Sequence, residues 1–113
     1  MNHEIDTMNG FEKVCELNEL TPGEAMKANT SVGPITLYHL DDGCFATQDQ
    51  CSHGQWSLAD GILEDGLIEC PLHGGKFCVR TGAVKAFPPT IPLKTFPVHV
   101  HAGQVWVKLD GQQ

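Results

Sequence analysis

Short runs of apolar and β-forming residues recur along the chain, and turns rich in Gly, Asp and Glu separate them. Each of these runs predicts a strand: Phe11–Glu16, Ile35–Leu40, Cys44–Gln48, Ile62-Leu63, Leu67–Glu69, Lys76–Val79, Ala83–Ala86, Phe96–His101 and Gln104–Leu109. A single helical turn is expected near Leu17–Leu20. Strands this short and evenly spaced favour an all-β fold, with an antiparallel sandwich or barrel-like base.

Two segments break this pattern and are predicted to be loops, Gln50–Asp60 and Cys70–Gly75. The first contains Cys51-Ser52-His53-Gly54, and the second contains Cys70-Pro71-Leu72-His73-Gly74-Gly75. The hairpin predicted at Glu64-Asp65-Gly66 would bring the two loops side by side. Each loop therefore offers one thiol and one imidazole.

This donor set predicts a metal centre. Thiolates and imidazoles suit either zinc or iron–sulfur clusters, and the residues alone leave both open. Zinc sites normally space the members of a pair by two to five residues, which disfavours zinc for the tight Cys51-Ser52-His53 element. In a Rieske [2Fe–2S] centre two cysteines bind one iron and two histidines bind the other. A ligand pair on each of two loops meets that requirement.

The chain resembles the Rieske ferredoxins of bacterial aromatic-ring-hydroxylating dioxygenases of the biphenyl, toluene, cumene and carbazole types. The resemblance extends from about Phe11 to Leu109, and it is strongest in Ala46–Gly54 and Glu69–Gly82. It implies a Rieske fold, with a small subdomain of two loops, about residues 46–89, that binds one cluster per chain. Cys51, His53, Cys70 and His73 would be its ligands.

The resemblance also implies a function. The chain would be an electron carrier and not an enzyme, taking electrons from an NADH-dependent flavoprotein reductase and passing them to a terminal oxygenase. With 113 residues it has no room for the mononuclear iron site of the oxygenase subunits. One alternative is the Rieske-like small subunit of a nitrite-reductase-type enzyme, and another is a zinc-stapled domain with two Cys and two His ligands.

Other features of the cluster region follow from the same resemblance. The segment Phe87-Pro88-Pro89 is expected to cover one side of the cluster. Trp56 and Leu72 occupy the positions where respiratory Rieske proteins have a loop disulfide, so that bridge is not expected here. Trp56 is expected to contribute to an apolar shell around the cluster or to be an ordinary core residue, and the two do not exclude each other. Gly75 stands where high-potential members have a serine.

Composition and charge narrow the partners. One domain is expected over residues 1–113, with a core drawn from the 41% of residues that are hydrophobic. The net charge of −7 disfavours nucleic acid and anionic membranes as partners, and no apolar run is long enough to span a bilayer. The polar start, Met1–Gly10, predicts a cytoplasmic protein, by default a monomer. Asp60, Glu64 and Asp65 are expected near the exposed cluster end, where they would steer basic partners.

The remaining cysteines and histidines are expected to be structural. Cys15, Cys44 and Cys78 fall in predicted strands, where core thiols are usual. The histidines outside the loops are His3, His39, His99 and His101. Of these, His99 and His101 alternate with valines, which places them on one face of a strand.

Overall fold

The computed structural model describes residues 10–52, 54–71, 74–87 and 89–109, and the regular secondary structure within them is almost entirely β-strand. The strands are β1 (Phe11–Glu16), β2 (Ala25–Thr30), β3 (Gly33–Leu40), β4 (Gly43–Gln48), β5 (Ile62–Glu64), β6 (Leu67–Glu69), β7 (Lys76–Cys78), β8 (Val84–Ala86), β9 (Thr95–Phe96), β10 (Val98–His101) and β11 (Gln104–Lys108). Short 3-10 helices lie at Leu17–Glu19 and Leu58–Asp60. No helix in the described ranges is long and apolar enough to cross a membrane.

Two antiparallel sheets form the base of the molecule. Their strand orders are β1-β11-β10 and β2-β3-β4-β9. Inward-facing side chains of their strands, together with Leu20 and Leu109 from adjoining segments, form one buried core. The strand residues in it are Cys15, Ala28, Ile35, Leu37, Ala46, Val105 and Val107. These side chains fill the space between two packed sheets.

A third antiparallel sheet, β5-β6-β7-β8, will be called the small sheet. A second buried cluster packs it against the base: Tyr38, Cys51, Leu58, Ile68, Cys70, Phe77, Val79 and Leu93. Tyr38 comes from β3 of the base, and its hydroxyl lies 2.8 Å from the Thr47 hydroxyl. The all-β class and the sandwich-like base with a smaller appended unit are confirmed.

Most predicted strands match the observed ones to within one or two residues, and two differences are informative. β2 was not predicted, because Ala25–Thr30 contains few β-branched or aromatic residues. It becomes a strand by pairing along its whole length with β3. The predicted strand Phe96–His101 is instead divided at Pro97, which has no N–H to donate. The chain passes there from one base sheet, in β9, to the other, in β10.

Two hairpins turn through two residues that both have positive φ. Asp65 and Gly66 have φ of 56° and 77°, and Ala102 and Gly103 have φ of 54° and 76°. This is the conformation of a type I′ turn, whose twist matches that of the flanking strands. The first of these turns sets the register of β5 with β6, and β6 leads directly into Cys70.

Arg80 connects the small sheet to the base. It follows β7, and its guanidinium donates hydrogen bonds of 3.1 and 2.8 Å to the two carboxylate oxygens of Asp42 in the β3–β4 turn. The same group lies over the Phe45 ring, 5.5 Å from its centroid. The hydrogen bonds from Arg80 hold the pKa of the Asp42 carboxyl below its usual value. This pair fixes the end of the small sheet farthest from Cys70.

Candidate metal centre

Within the first predicted loop, Gln50–Asp60, the candidate ligands fall in residues 51–56, here called the first loop, which is closed by its own backbone. The Cys51 N–H donates to the Trp56 carbonyl at 2.8 Å, and the Gly54 N–H donates to the Cys51 carbonyl at 3.2 Å. At the base of the loop, the Leu58 N–H donates to the Asp49 carbonyl at 2.7 Å. These bonds close the loop tightly and pair the short segments on its two sides in an antiparallel arrangement.

The second predicted ligand loop, residues 70–75, is closed in the same way. The Cys70 N–H donates to the Gly75 carbonyl at 2.7 Å, so the bond again joins a cysteine to the residue five positions later. β6 ends immediately before this loop and β7 begins immediately after it, with Glu69 paired to Lys76. The loop is therefore the connection of a β-hairpin.

The structure brings the two predicted cysteine ligands into the same buried cluster. Cys51 and Cys70 each expose only 2% of their surface, and both pack with the side chains between the base and the small sheet. His53 and His73, the predicted imidazole ligands, lie outside the described residues. Two buried thiols at the starts of two similarly closed loops fit a group that takes one cysteine from each loop.

Residues 87–92, here called the proline segment, contact both loops. The Ser52 hydroxyl donates to the Ile91 carbonyl at 2.5 Å, which joins the segment to the first loop. On the other side, Gly75 packs directly against the Pro89 ring, and a Cβ at position 75 would collide with that ring. Pro88, the middle residue of the predicted cover, lies outside the described residues. Of the expected cover Phe87-Pro88-Pro89, Pro89 therefore lies against the second loop, and the contact with the first loop comes from Ile91, two residues beyond it.

Large apolar side chains are exposed around this end of the molecule. Trp56 is 46% exposed, Phe87 79% and Ile91 62%. Of the two expectations for Trp56, a core residue is therefore wrong. Leu72, the other residue at a position where respiratory Rieske proteins have a loop disulfide, lies outside the described residues. An exposed apolar set beside the predicted metal loops is typical of a contact surface.

Asp49 is a buried carboxylate that sequence reasoning missed. It lies two residues before Cys51 and is 7% exposed. Its Oδ1 accepts hydrogen bonds from the Thr36 hydroxyl at 2.8 Å and the Ser57 hydroxyl at 2.7 Å. An acidic residue between a β-forming strand and a ligand loop was the available signal. Its position alone did not reveal that it is buried.

The acidic residues of the β5–β6 hairpin do not all lie where they were expected. Asp60, Glu64 and Asp65 are exposed, as a steering role requires. Asp65, however, lies in the turn opposite the end from which Cys70 emerges, about 10 Å away along the hairpin. Glu64 immediately precedes that turn, so for these two residues the expected position is wrong. Asp60 ends the 3-10 helix that follows the first loop, and it remains on the loop side.

The cysteines outside the loops differ from one another. Cys15 is buried in the base core, and Cys44 packs against that core, as predicted. Burial, aided by the charge of Glu19, raises the pKa of the Cys15 thiol to about 11. Cys78 is half-buried and belongs to neither described core cluster, so its prediction as a core thiol is wrong. Burial raises its pKa, but hydrogen bonds with Thr81 and the backbone outweigh this and lower it overall.

The histidines outside the loops occupy structural positions where they are described. His99 and His101 lie on one face of β10, with stacked rings 6.1 Å apart, as the alternation predicted. The Nδ1 atom of His39 lies 2.8 Å from the Leu20 carbonyl. His3 lies outside the described residues.

Comparison with known proteins gives the family of this chain. The profile of the Rieske [2Fe-2S] domain matches residues 10–97. The biphenyl dioxygenase ferredoxin subunit of Pseudomonas sp. (strain KKS102) is 47% identical over 98 residues, which cover 86% of this chain and 90% of the relative. In the complex of reduced oxygenase and oxidized ferredoxin in carbazole 1,9a-dioxygenase, a matching chain is 40% identical with a TM-score of 0.81. That match covers 87% of this chain and 92% of the other.

The alternatives raised by the sequence match less well. A structure described as a nitrite reductase NADPH small subunit has a TM-score of 0.77 but is 25% identical, over 86% of this chain and 96% of the other. The matching profile describes a [2Fe–2S] domain, which favours an iron–sulfur cofactor over zinc. The chain belongs to the Rieske [2Fe–2S] domain family, and its cofactor is a Rieske-type cluster.

Proposed function

We propose that this chain is the ferredoxin component of an aromatic-ring-hydroxylating dioxygenase system, in which it delivers single electrons to the terminal oxygenase. The proposal rests most directly on 47% identity, over most of both chains, to a biphenyl dioxygenase ferredoxin subunit. A matching chain of known structure comes from a complex of oxygenase and ferredoxin in carbazole 1,9a-dioxygenase. The chain would therefore be a carrier, and the oxygenase would perform the chemistry on the substrate.

Cys51, His53, Cys70 and His73 are the proposed ligands of the cluster, with each loop supplying one cysteine and one histidine. A Rieske cluster held in this way supplies reversible one-electron chemistry. Cys51 and Cys70 support this set because both are buried at the starts of loops with the same closing hydrogen bond. The loops and the proline segment would exclude water and hold the thiols in place, which limits solvent access and thereby tunes the potential.

The oxygenase and a flavoprotein reductase are the proposed partners. An electron carrier must bind each partner briefly, so a small contact surface is sufficient. Trp56, Phe87 and Ile91 offer exposed apolar area beside the ligand loops and the proline segment. We further propose that residues 1–113 form a single domain that acts as a cytoplasmic monomer. The net charge of −7 favours basic docking surfaces on both partners.

The test is a reconstitution with purified components. NADH and a dioxygenase flavoprotein reductase should bleach the visible spectrum of this protein. Mixing the reduced protein with an oxidised dioxygenase terminal oxygenase should restore the spectrum as electrons leave. A reduced protein that the oxygenase fails to reoxidise, but that a nitrite-reductase catalytic subunit does reoxidise, would assign the chain to the alternative system. A normal iron content combined with transfer to neither partner would contradict the proposed role in dioxygenase electron transfer.

A further inference from the structure

A charged residue supports the first ligand loop from within the protein. The Asp49 carboxylate is 7% exposed, and the backbone places it two residues before Cys51. Two residues of extended chain span at most about 7 Å between Cα atoms. An ionised side chain so deeply buried is unusual, because burial removes the water that stabilises its charge.

The contacts of Asp49 show how that burial is tolerated. Thr36 on β3 and Ser57 at the end of the first loop both donate to Oδ1, at 2.8 and 2.7 Å. Lys27 on β2 approaches Oδ2, but only to 3.8 Å, and its own side chain is 51% exposed. The hydroxyls hold the carboxylate in place without cancelling its charge. The lysine, being partly solvated, compensates for that charge only in part.

We propose that Asp49 both positions the first loop, through Ser57, and lowers the reduction potential of the centre through its fixed negative charge. This inference rests on the proposed function, because it requires Cys51 to be a ligand. Reduction adds an electron to the centre, and a nearby negative charge disfavours that addition. A buried charge is screened less by solvent and salt than an exposed one at a similar distance.

Three variants of the holoprotein separate the effect of the charge from other effects. Asp49→Asn removes the charge but keeps an oxygen that accepts from the two hydroxyls, so the midpoint potential should rise. Lys27→Gln removes the partly compensating positive charge, so the midpoint should fall, by less than Asp49→Asn raises it. Asp60→Asn removes an exposed carboxylate on the same side of the molecule and is the matched control. Its midpoint should shift least, and that shift should disappear in high salt.

The midpoint is measured by spectroelectrochemistry, only on samples whose iron content and visible spectrum match the unmutated protein. Opposite shifts for Asp49→Asn and Lys27→Gln, both larger than that of Asp60→Asn, support the proposal. The proposal is overturned if Asp49→Asn shifts the midpoint no further from the unmutated value than Asp60→Asn does. If Asp49→Asn does not retain the cluster, Lys27→Gln decides, and an unchanged or higher midpoint in that variant overturns the proposal.

Ser57→Ala tests positioning apart from charge. It removes the hydrogen bond from the Ser57 hydroxyl to Asp49, together with the acceptor for the Ala59 N–H, and leaves the carboxylate in place. Iron should therefore be released faster to a chelator while the midpoint stays close to the unmutated value. A rate of iron release unchanged from the unmutated protein contradicts the positioning role. Failure of this inference and failure of the proposed function are distinguishable. A wrong ligand set would appear as a normal cluster in variants lacking Cys51, whereas a wrong inference would leave those variants without the cluster and the Asp49→Asn midpoint unchanged.

Discussion

The two ligand loops share their closing hydrogen bond but differ in what supports them. The second loop is the connection of a β-hairpin, and β6 and β7 hold it through strand pairing. The first loop is flanked by an isolated antiparallel bridge between Gln50 and Ser57. The buried Asp49 carboxylate supports this loop by accepting a hydrogen bond from the Ser57 hydroxyl. The proline segment contacts the first through a hydrogen bond and the second through packing. The same local geometry is thus maintained by an isolated backbone bridge with side-chain hydrogen bonds in one loop, and by a sheet in the other.

This difference teaches where each loop is sensitive to substitution. A loop held by strand pairing tolerates changes in nearby polar side chains but not a loss of close packing. A loop held by hydrogen bonds to a buried carboxylate depends on those few polar atoms, because an unsatisfied buried group costs about 1–3 kcal/mol. Substitutions at the two loops should therefore fail in different ways.

The largest effect is expected where the two loops are equivalent. Cys51→Ala and Cys70→Ala should each abolish the cluster and lower the melting temperature, because the binding energy of the cluster contributes to folding. Iron analysis and the visible spectrum measure the loss. Cys78→Ala is the control, since Cys78 lies outside both loops, and it should keep the full iron content. A normal spectrum in either loop variant would remove that cysteine from the ligand set.

The next effect should be confined to the second loop. Gly75→Ala would place a Cβ against the Pro89 ring, where neither the ring nor the backbone yields easily. Overpacking of this kind costs about 1–3 kcal/mol, and here it should appear as a lower urea midpoint and faster iron release. Pro89→Ala removes the ring atoms responsible, so the double variant should recover most of the loss. If adding Pro89→Ala brings no recovery, the packing explanation fails.

A smaller effect is expected from the first loop's bond to the proline segment. Ser52→Ala removes the hydrogen bond to the Ile91 carbonyl, which is worth about 1 kcal/mol. Urea unfolding of the holoprotein should detect this change. Thr90→Ala removes an exposed hydroxyl from the same segment and should leave stability unchanged. Equal stability in the two variants would mean that the bond to Ile91 contributes nothing.

The smallest effect concerns electrostatic steering, and it uses the corrected positions of the acidic residues. Asp60→Asn, on the loop side, should slow association with the reductase and oxygenase by about two-fold at low salt, and the difference should vanish above about 0.1 M salt. The pair Glu64→Gln and Asp65→Asn, at the far end of the hairpin, should have less effect. Stopped-flow rates at several salt concentrations provide the measurement. A larger effect from the distant pair would place docking elsewhere.

The sequence predicted the parts of this structure whose causes are local. Runs of β-forming residues bounded by turn residues located most strands, and Asp65-Gly66 specified its turn, because those preferences lie in the residues themselves. The strand β2 escaped prediction because it is a strand by virtue of its pairing with β3, which its own residues do not indicate. The division at Pro97 depends on which sheet each half joins. Neither follows from propensity.

At the candidate site, too, features with local causes were predicted and features that depend on distant residues were not. Its ligand residues were predicted from donor chemistry and spacing, and the structure describes the two cysteines at buried positions. The role of Asp49 could not be predicted, because its partners Thr36 and Lys27 lie 13 and 22 residues earlier in the chain. The expected position of Asp65 was wrong because Asp65 lies in the turn of the hairpin, whereas Cys70 follows its opposite end. The sequence places Asp65 between the two loops but does not say at which end of the hairpin the site lies.

The contact between Ser52 and Ile91 also bears on the order in which the protein assembles. These residues are 39 positions apart, whereas the pairings within the small sheet join residues close in sequence. Closing a longer segment costs more entropy, so the local hairpins should form before the proline segment settles across them. The segment runs directly into β9, which pairs with β4 of the base. The two ligand loops would therefore stay accessible to iron during folding until the base is complete. Completion of the base would then place the proline segment against them.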